Sequence, residues 1–525
     1  MYRTVGVIGA AALGALALLL VVGARAPREV EAATAFVTST ADSGPGSFRQ
    51  AILNANTNAN INLIALTNWL PATITSTVNY TGSQTLTIQG NSFLFNRVIE
   101  GNGACARFHS TGGGDVTFQR VTLRDFSCDL ALEGAIDIQP PANSGEVILK
   151  LDRVVLENVT ADNGIRFVET APSNTAFTLR LTASRIDGCD GQCVSFDESG
   201  DGGVDASFTN SVVAGAGGHG VQSSEFDGGA TTFTAAGSRF LDNDENGVEL
   251  VEGGTGNMAL SLSGSQFSGN RESAFTASES GDGEASLTGA VLQFAGNAEF
   301  GIIVYENGEG NFTANLTAVD ASGNTGSGLT LEESGAGDAS FTVTGSSSVT
   351  NGVGLSVREF GEGRLWLWLS GVTLNGNAGG GLSASEFDDG PFELTILASR
   401  MEFNTSAGVL AEEVNEGNFT FLISGSTARE NGSGGGFFDG FRLVEREDGG
   451  LLGTFSSTSA IDNAADGYVI EEQDDGAFDV TMALSIAAGN GDYGTRASAG
   501  GATGTIHALA SDVDPYITTN VLVVP

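Results

Sequence analysis

Residues 270–297 read NRESAFTASESGDGEASLTGAVLQFAGN. The stretch opens and closes on asparagine, and that residue returns at Asn243, Asn270, Asn297, Asn324, Asn351, Asn377, Asn404, Asn431, Asn463 and Asn490. The successive steps are 27, 27, 27, 27, 26, 27, 27, 32 and 27 residues. A fixed period of this size marks a solenoid, because one short unit cannot bury its apolar face alone and must stack on its neighbours. A second register, Glu198, Glu225, Glu252, Glu279, Glu306, Glu333, Glu359, Glu386, Glu413, Glu445 and Glu472, makes the same 26- and 32-residue steps. Two columns that skip together belong to one lattice.

Within the quoted unit, Phe275 and Ala277 alternate with polar residues, the period of a half-buried strand. Gly281-Asp282-Gly283 follows as a turn. A second alternating strand comes next, with inward columns such as Met258/Leu260/Leu262, Phe312/Ala314/Leu316 and Leu365/Leu367/Leu369. A short third strand around Phe240, Phe267 and Phe294 returns the chain to the asparagine. Three strands and three turns in one period leave no room for a helix. The predicted fold is therefore all-β, a parallel β-helix of roughly 14 to 16 coils, about 70 Å long at about 4.8 Å per coil. Stacked Asn amides donate and accept along the axis, so the Asn column reads as structural.

Four segments are expected. Residues 1–33 carry Arg3 and an apolar run from about Val5 to Val22, and small residues at Ala32, Ala33 and Ala35 offer cleavage sites at their end, the pattern of a secretory signal peptide; the same run also fits an uncleaved membrane anchor. Residues 34–100 form an N-terminal cap and first coils, 101–496 the parallel β-helix, and 497–525 a C-terminal cap or tail. No second stretch approaches the roughly 20 apolar residues of a membrane helix, so no membrane span is expected after signal cleavage. In the cap, Phe48, Ala51, Ile52 and Ala55 share one helical face behind Ser47, a good N-cap residue. Such a helix covers the open end of a solenoid.

The run VTSTADSGPGSFRQAILNAN at 37–56, with Leu70-Pro71, Thr85-Leu-Thr-Ile-Gln-Gly90 and Val98-Ile-Glu-Gly-Asn-Gly103 after it, resembles the first coils of exported bacterial right-handed parallel β-helix repeat proteins, a group that includes polymorphic outer-membrane-protein-like and adhesin-like surface proteins. The resemblance covers about residues 36–140 by motif and the rest by repeat character. It implies a secreted or surface-exposed protein, extracellular in location, whose extended face serves adhesion or binding of a carbohydrate or protein. Its members differ widely in activity, and the end of this chain, Asp514 to Pro525, shows none of the sorting segments that many of them carry.

Charge narrows the partners. With 22 Lys+Arg against 63 Asp+Glu, the formal net charge of −41 argues against nucleic acid and acidic membranes. The same charge favours a soluble monomer. The four cysteines lie early in the chain: Cys105 and Cys128 are about one coil apart, and Cys189 and Cys193 are close enough to close a small loop. Export makes two disulfides the expectation. His109, His219 and His507 do not pair with them at zinc-finger spacing.

Three features bear on chemistry. The Glu column, with neighbouring acids such as Asp282, Glu309 and Asp338, offers oxygen ligands for Ca²⁺, but it lacks the calcium-binding β-roll register, and a solvated acidic rim is the expected reading; no cofactor is expected beyond that ion. Trp366 and Trp368 alternate with inward Leu365, Leu367 and Leu369. Both indoles should project from the outer face, where rigid aromatics suit stacking on sugar rings or a protein partner; the competing expectation is a loop folded over them. Phe437 and Phe438 lie about three coils further on, beside the insertion before Phe441. Finally, Gly218-His219-Gly220, preceded by Asp190-Gly-Gln-Cys-Val-Ser-Phe196, resembles fragments of polygalacturonase motifs on this fold. Those enzymes use several carboxylates and a basic triplet. Here Gly191 interrupts the Asp pair, and Gly247-Val-Glu-Leu250 supplies no basic residue. Arg239, Arg271, Arg358 and Arg400 are too scattered to mark a lyase base. The sequence therefore points to a non-catalytic binding protein, with a polysaccharide-active enzyme or a purely structural solenoid as the alternatives and no residue assigned to catalysis.

Overall fold

The computed structural model describes residues 33–524 apart from 92–94, 104, 129–132, 170–172, 435–437 and 502. The proposed signal peptide and Phe437 thus fall outside the described residues, apart from Ala33 itself.

Each coil follows the three-strand plan. One strand, such as Phe275–Glu279, stacks only on its equivalents, in the register Val248↔Phe275↔Ile302↔Leu329↔Leu355↔Leu382↔Val409↔Phe441↔Tyr468. The other two, such as Met258–Ser263 and Gln266–Ser268, stack in a second, larger sheet. Every pairing between strands is parallel, so the chain is a parallel β-solenoid. About 17 strands stack in the first sheet, slightly more than the 14 to 16 coils expected, because early coils that depart from the 27-residue period still pair in register, as do the last strands, Tyr516–Thr519 and Val521–Val524.

Both departures from the period fall in one corner. Leu329 to Leu355 is one residue short and Val409 to Phe441 is five long, whereas Asn324 to Asn351 and Asn404 to Asn431 still step by 27. The turn between the asparagine and the first strand therefore absorbs length changes without disturbing either sheet. The residue before each asparagine is left-handed, as at Gly269 (φ 71°), Gly296 (64°), Gly376 (62°) and, without glycine, Phe403 (59°). This conformation turns the chain so that the amide enters the core.

There the amides form the expected ladder. Asn377 Nδ2 donates to Asn404 Oδ1 at 2.9 Å, and Asn404 Nδ2 to Asn431 Oδ1 at 3.0 Å. The same oxygens accept the backbone N–H groups of Asn377 and Asn404 at 3.1 Å. Apolar columns stack beside them, as in Phe240 on Phe267 (ring centroids 4.8 Å apart, 6° between planes) and Phe392 on Phe419 (4.6 Å, 6°). Each buried ring contributes about 2 to 3 kcal/mol against the exposed chain.

Helix α1 (Phe48–Thr57) closes the N-terminal end. The Ser47 hydroxyl accepts the Gln50 N–H at 3.1 Å, and Phe48, Ala51, Ile52 and Ala55 are buried. Among the described residues no helix is long and apolar enough to cross a membrane.

The cysteines depart from expectation. Cys105 and Cys128 form a disulfide across one coil, but Cys189 and Cys193 are free thiols. Both pack in the core at 3% and 0% exposure, where each serves as a small apolar side chain. Burial pushes the Cys189 thiol well above its ordinary value.

Candidate functional site

The strand Leu365–Ser370 buries Leu365, Leu367 and Leu369 completely and turns Trp366 and Trp368 outward. The strict alternation of the pleat forces this arrangement. The two indoles lie side by side, with ring centroids 6.0 Å apart and planes at 34°, and each is half-buried. On one side Ser340 and Thr342 stand opposite them; on the other stand Glu393 and Thr395, as the column comparison predicted.

The outward columns continue beyond the tryptophans as Glu393↔Thr420↔Leu452 and Thr395↔Leu422↔Thr454. Here the surface dips into a shallow depression of about 360 Å³ lined by Glu393, Thr395, Thr420, Phe421, Leu422 and Gly453 among others. Gly453 creates it. The position pairs with inward Phe421 and Val480, yet a Cβ on Gly453 would lie 2.5 Å from the Phe421 ring, so that ring occupies the space of the missing side chain. Leu422 is 42% exposed. At the rim, Arg364 stands 3.8 Å from Glu393. Two indoles, exposed leucine, threonine hydroxyls and one carboxylate thus share a flat face, a mixture suited to stacking on a ring and hydrogen-bonding its substituents. The alternation in the sequence placed the tryptophans on the outer face and did not anticipate the depression, although Gly453 interrupts an otherwise apolar inward column there. Phe438 lies in the turn before Phe441–Glu445 of the other sheet and does not join this face.

His219 is 8% exposed. Its Nδ1 accepts the Asn246 N–H at 3.2 Å, so the proton sits on Nε2, which faces Glu245 at 2.9 Å and Glu249 at 3.0 Å. Gln222 Nε2 also donates to Glu249 at 2.9 Å. Burial pulls the imidazole's pKa down, but the hydrogen bond to Glu249 and the charges of Glu249 and Glu245 outweigh it and hold the group above its ordinary value. Glu249 is correspondingly held low, chiefly by the same hydrogen bond. The position has a structural role in other coils: Asn246 accepts the Ser273 N–H at 2.9 Å and Asp466 accepts the Tyr493 N–H at 3.0 Å. His219 is thus a coil-to-coil cap clamped by two carboxylates. A cleft of about 240 Å³ lined by Arg166, Gln192, Ser195, Gln222 and Phe226, among others, lies on this sheet.

The Glu column corrects the expectation of a solvated rim. From Glu198 to Glu472 its members are 0 to 1% exposed. Each follows an inward pair, as Glu252 follows Val248 and Leu250, and the strand's parity carries it inside. In each, Oε1 accepts the backbone N–H two residues on, as in Gly281 to Glu279 at 2.9 Å and Gly361 to Glu359 at 2.7 Å. Turn glycines seal the carboxyls: a Cβ on Gly361 would lie 1.2 Å from Gly335 O and 3.2 Å from Glu359 Oε1. For Ca²⁺, one carboxyl per coil does not gather three ligand atoms; among the described residues only Cys105, Cys128 and Glu133 do so, and their two sulfurs are joined to each other. Structure also reveals a charge network on the outer face that sequence reasoning missed, in which Arg442 pairs with Glu471 at 3.0 Å and Arg496 with Asp466 at 2.9 Å.

No protein-family model matches the chain, and no curated protein matches it. Among solved structures it is similar to the A-module of the mannuronan C-5 epimerase AlgE4 of Azotobacter vinelandii, at 14% identity and a TM-score of 0.34, over 80% of this chain and 96% of that one. At that level nothing about activity carries over, and the fold assignment rests on the strand pairing.

Proposed function

We propose that this chain is an exported, non-catalytic solenoid that binds carbohydrate on the outer face of its larger sheet. The paired, half-exposed indoles of Trp366 and Trp368 beside the Glu393–Leu422 depression carry this reading. A neutral glycan is favoured, because a chain of formal charge −41 repels polyanions. The signal-like start and the adhesin-like resemblance support an extracellular or cell-surface setting, with a surface glycan or glycoprotein as the partner and the protein acting as a monomer.

Trp366→Ala with Trp368→Ala tests it. Each hot-spot aromatic is worth about 2 kcal/mol or more, so affinity for a glycan identified on an array should fall at least about tenfold per residue while circular dichroism stays unchanged. Unaltered affinity removes the site.

A second reading, polysaccharide cleavage, is favoured by one observation: Gln222, which lines the 240 Å³ cleft, donates to Glu249, and Glu249 faces His219. Reducing ends or unsaturated products released from a polysaccharide panel, and lost in His219→Ala, would establish it over the binding reading.

A further inference from the structure

The Asn and Glu columns meet the same problem with different chemistry. An amide carries both a donor and an acceptor, so the Asn side chains bond one to the next, except at Asn351, whose Nδ2 donates to Ser348 Oγ at 3.0 Å while its backbone N–H reaches Asn377 Oδ1 at 3.0 Å. A carboxylate has only acceptors. In the Glu column every Oε1 is satisfied by a backbone N–H at 2.7–3.1 Å. The Oε2 atoms of ten consecutive members, Glu198 to Glu445, are buried and receive no hydrogen bond. The column ends where that need ends, since Glu472 Oε2 accepts the Gly500 N–H at 3.0 Å and the next coil has Ala499 in the slot. Towards the N-terminus, Glu169 continues the column; it is buried, its Oε1 accepts the Ser173 hydroxyl, and its Oε2 likewise receives no hydrogen bond.

Ionised oxygens in this place would be desolvated, unpartnered and stacked on like charges about 4.8 Å away. A proton on each Oε2 removes all three penalties, because the resulting O–H donates to the neighbouring carboxyl. We propose that the Glu column is a ladder of protonated carboxyls sharing hydrogen bonds along the axis at neutral pH, so that acid strengthens the solenoid and alkali loosens it.

The surrounding charges agree. Burial is the largest cause in each and pushes Glu198, Glu252 and Glu306 up to about 9, Glu333, Glu359, Glu386 and Glu413 to about 8 and Glu445 to about 7; the column neighbours raise the first three further and act in both directions on the rest. The charged groups acting on them are other glutamates of the column, with no Arg, Lys or His among them. The turns that follow add Asp227, Asp282, Glu309, Glu362, Asp388, Asp389, Glu416, Glu447, Asp448, Asp474 and Asp475, further acids. The basic residues in those turns are engaged elsewhere, Arg446 with Glu412 at 2.7 Å and Arg364 with Glu393. The strands packed across the core present apolar side chains such as Met258, Phe312, Leu365 and Phe419. In these eight the folded value lies above the unfolded 4.5, so the folded state holds more protons between pH 4.5 and about 9, and stability falls as pH rises through that window.

The test uses the full chain, treated with chelator, and two readouts. Infrared spectroscopy should show the carbonyl stretch of protonated carboxyls in the folded protein at pH 7. Glu333→Gln supplies the donor permanently; it should raise the melting temperature by several degrees at pH 9 and leave it unchanged at pH 5, whereas the exposed control Glu309→Gln should show no such pH-dependent difference. Absence of the protonated band, or a Glu333→Gln penalty equal at both pH values, overturns the proposal. So does a melting temperature at pH 7 that falls with chelator and returns with Ca²⁺, which would mean that cations hold the column. The infrared result on the unsubstituted chain decides even if the variant fails to fold.

Discussion

Replacing Asn404 by alanine isolates the worth of one rung. Its Oδ1 accepts the Asn377 N–H at 3.1 Å and Asn377 Nδ2 at 2.9 Å, and its Nδ2 donates to Leu374 O at 2.9 Å and to Asn431 Oδ1 at 3.0 Å. Asn431 Oδ1 keeps the Asn404 N–H, and a carbonyl short of one partner costs little, so the damage is two buried donors on Asn377. At about 2 kcal/mol for each orphaned donor the loss is about 4 kcal/mol. Asn243→Ala provides the comparison. The residue one coil before it is Ala216, whose N–H at 3.1 Å is the sole donor to Asn243 Oδ1 from that coil, so one orphan and about 2 kcal/mol are expected. Both variants remove the same side chain, so a shared cavity cost cancels in the difference between them, about 2 kcal/mol. Urea unfolding followed by circular dichroism gives both costs, and hydrogen exchange at the amides of residues 377 and 216 locates them, since a solenoid opens locally. Equal costs, or costs below about 1 kcal/mol for both, would refute the reasoning that coil-to-coil donors rather than side-chain volume hold the ladder.

Further predictions concern the thiols and His219. The disulfide Cys105–Cys128 closes a separation of 23 residues, so Cys105→Ser with Cys128→Ser should cost about 3 kcal/mol in urea, and reductant should shift the wild-type midpoint alike. Cys189 and Cys193 should react with a thiol reagent only once the protein is unfolded; rapid labelling of the native chain would contradict their burial. For His219, the folded pKa is raised above 6.5, so its ion-pair contribution is fully present below 6.5 and lost as pH rises through the folded value. Glu249 is lowered from 4.5, so its part is lost as pH falls through its own folded value. Protonation places a hydrogen on Nδ1 and forfeits the Asn246 cap, so the ion pairs to Glu245 and Glu249 and the cap exchange as pH crosses the folded value, and the penalty of His219→Gln should change between pH 5 and 9; a penalty independent of pH would leave only the Nδ1 cap.

The period in the asparagines was enough to specify the solenoid, because stacked coils require the same residue type at each recurring position and any break in step appears in every column at once. Inward and outward faces followed from alternation, which is why Trp366 and Trp368 sit where expected. Parity also placed Glu252 inside with Val248 and Leu250, but the affinity of a carboxylate for water argued the opposite, and only stacking decided between them. The backbone N–H groups that cap each Oε1 and the glycines that seal it come from a turn whose shape depends on the coil beneath. The same holds for the free Cys189 and Cys193, for the acids that clamp His219 from the next coil, and for the depression that opens where Gly453 meets Phe421. A repeat records which residues recur at one level of the coil. Whether a polar group there finds a donor, a proton or open water depends on contacts a full turn away, and those exist only once the coils have stacked.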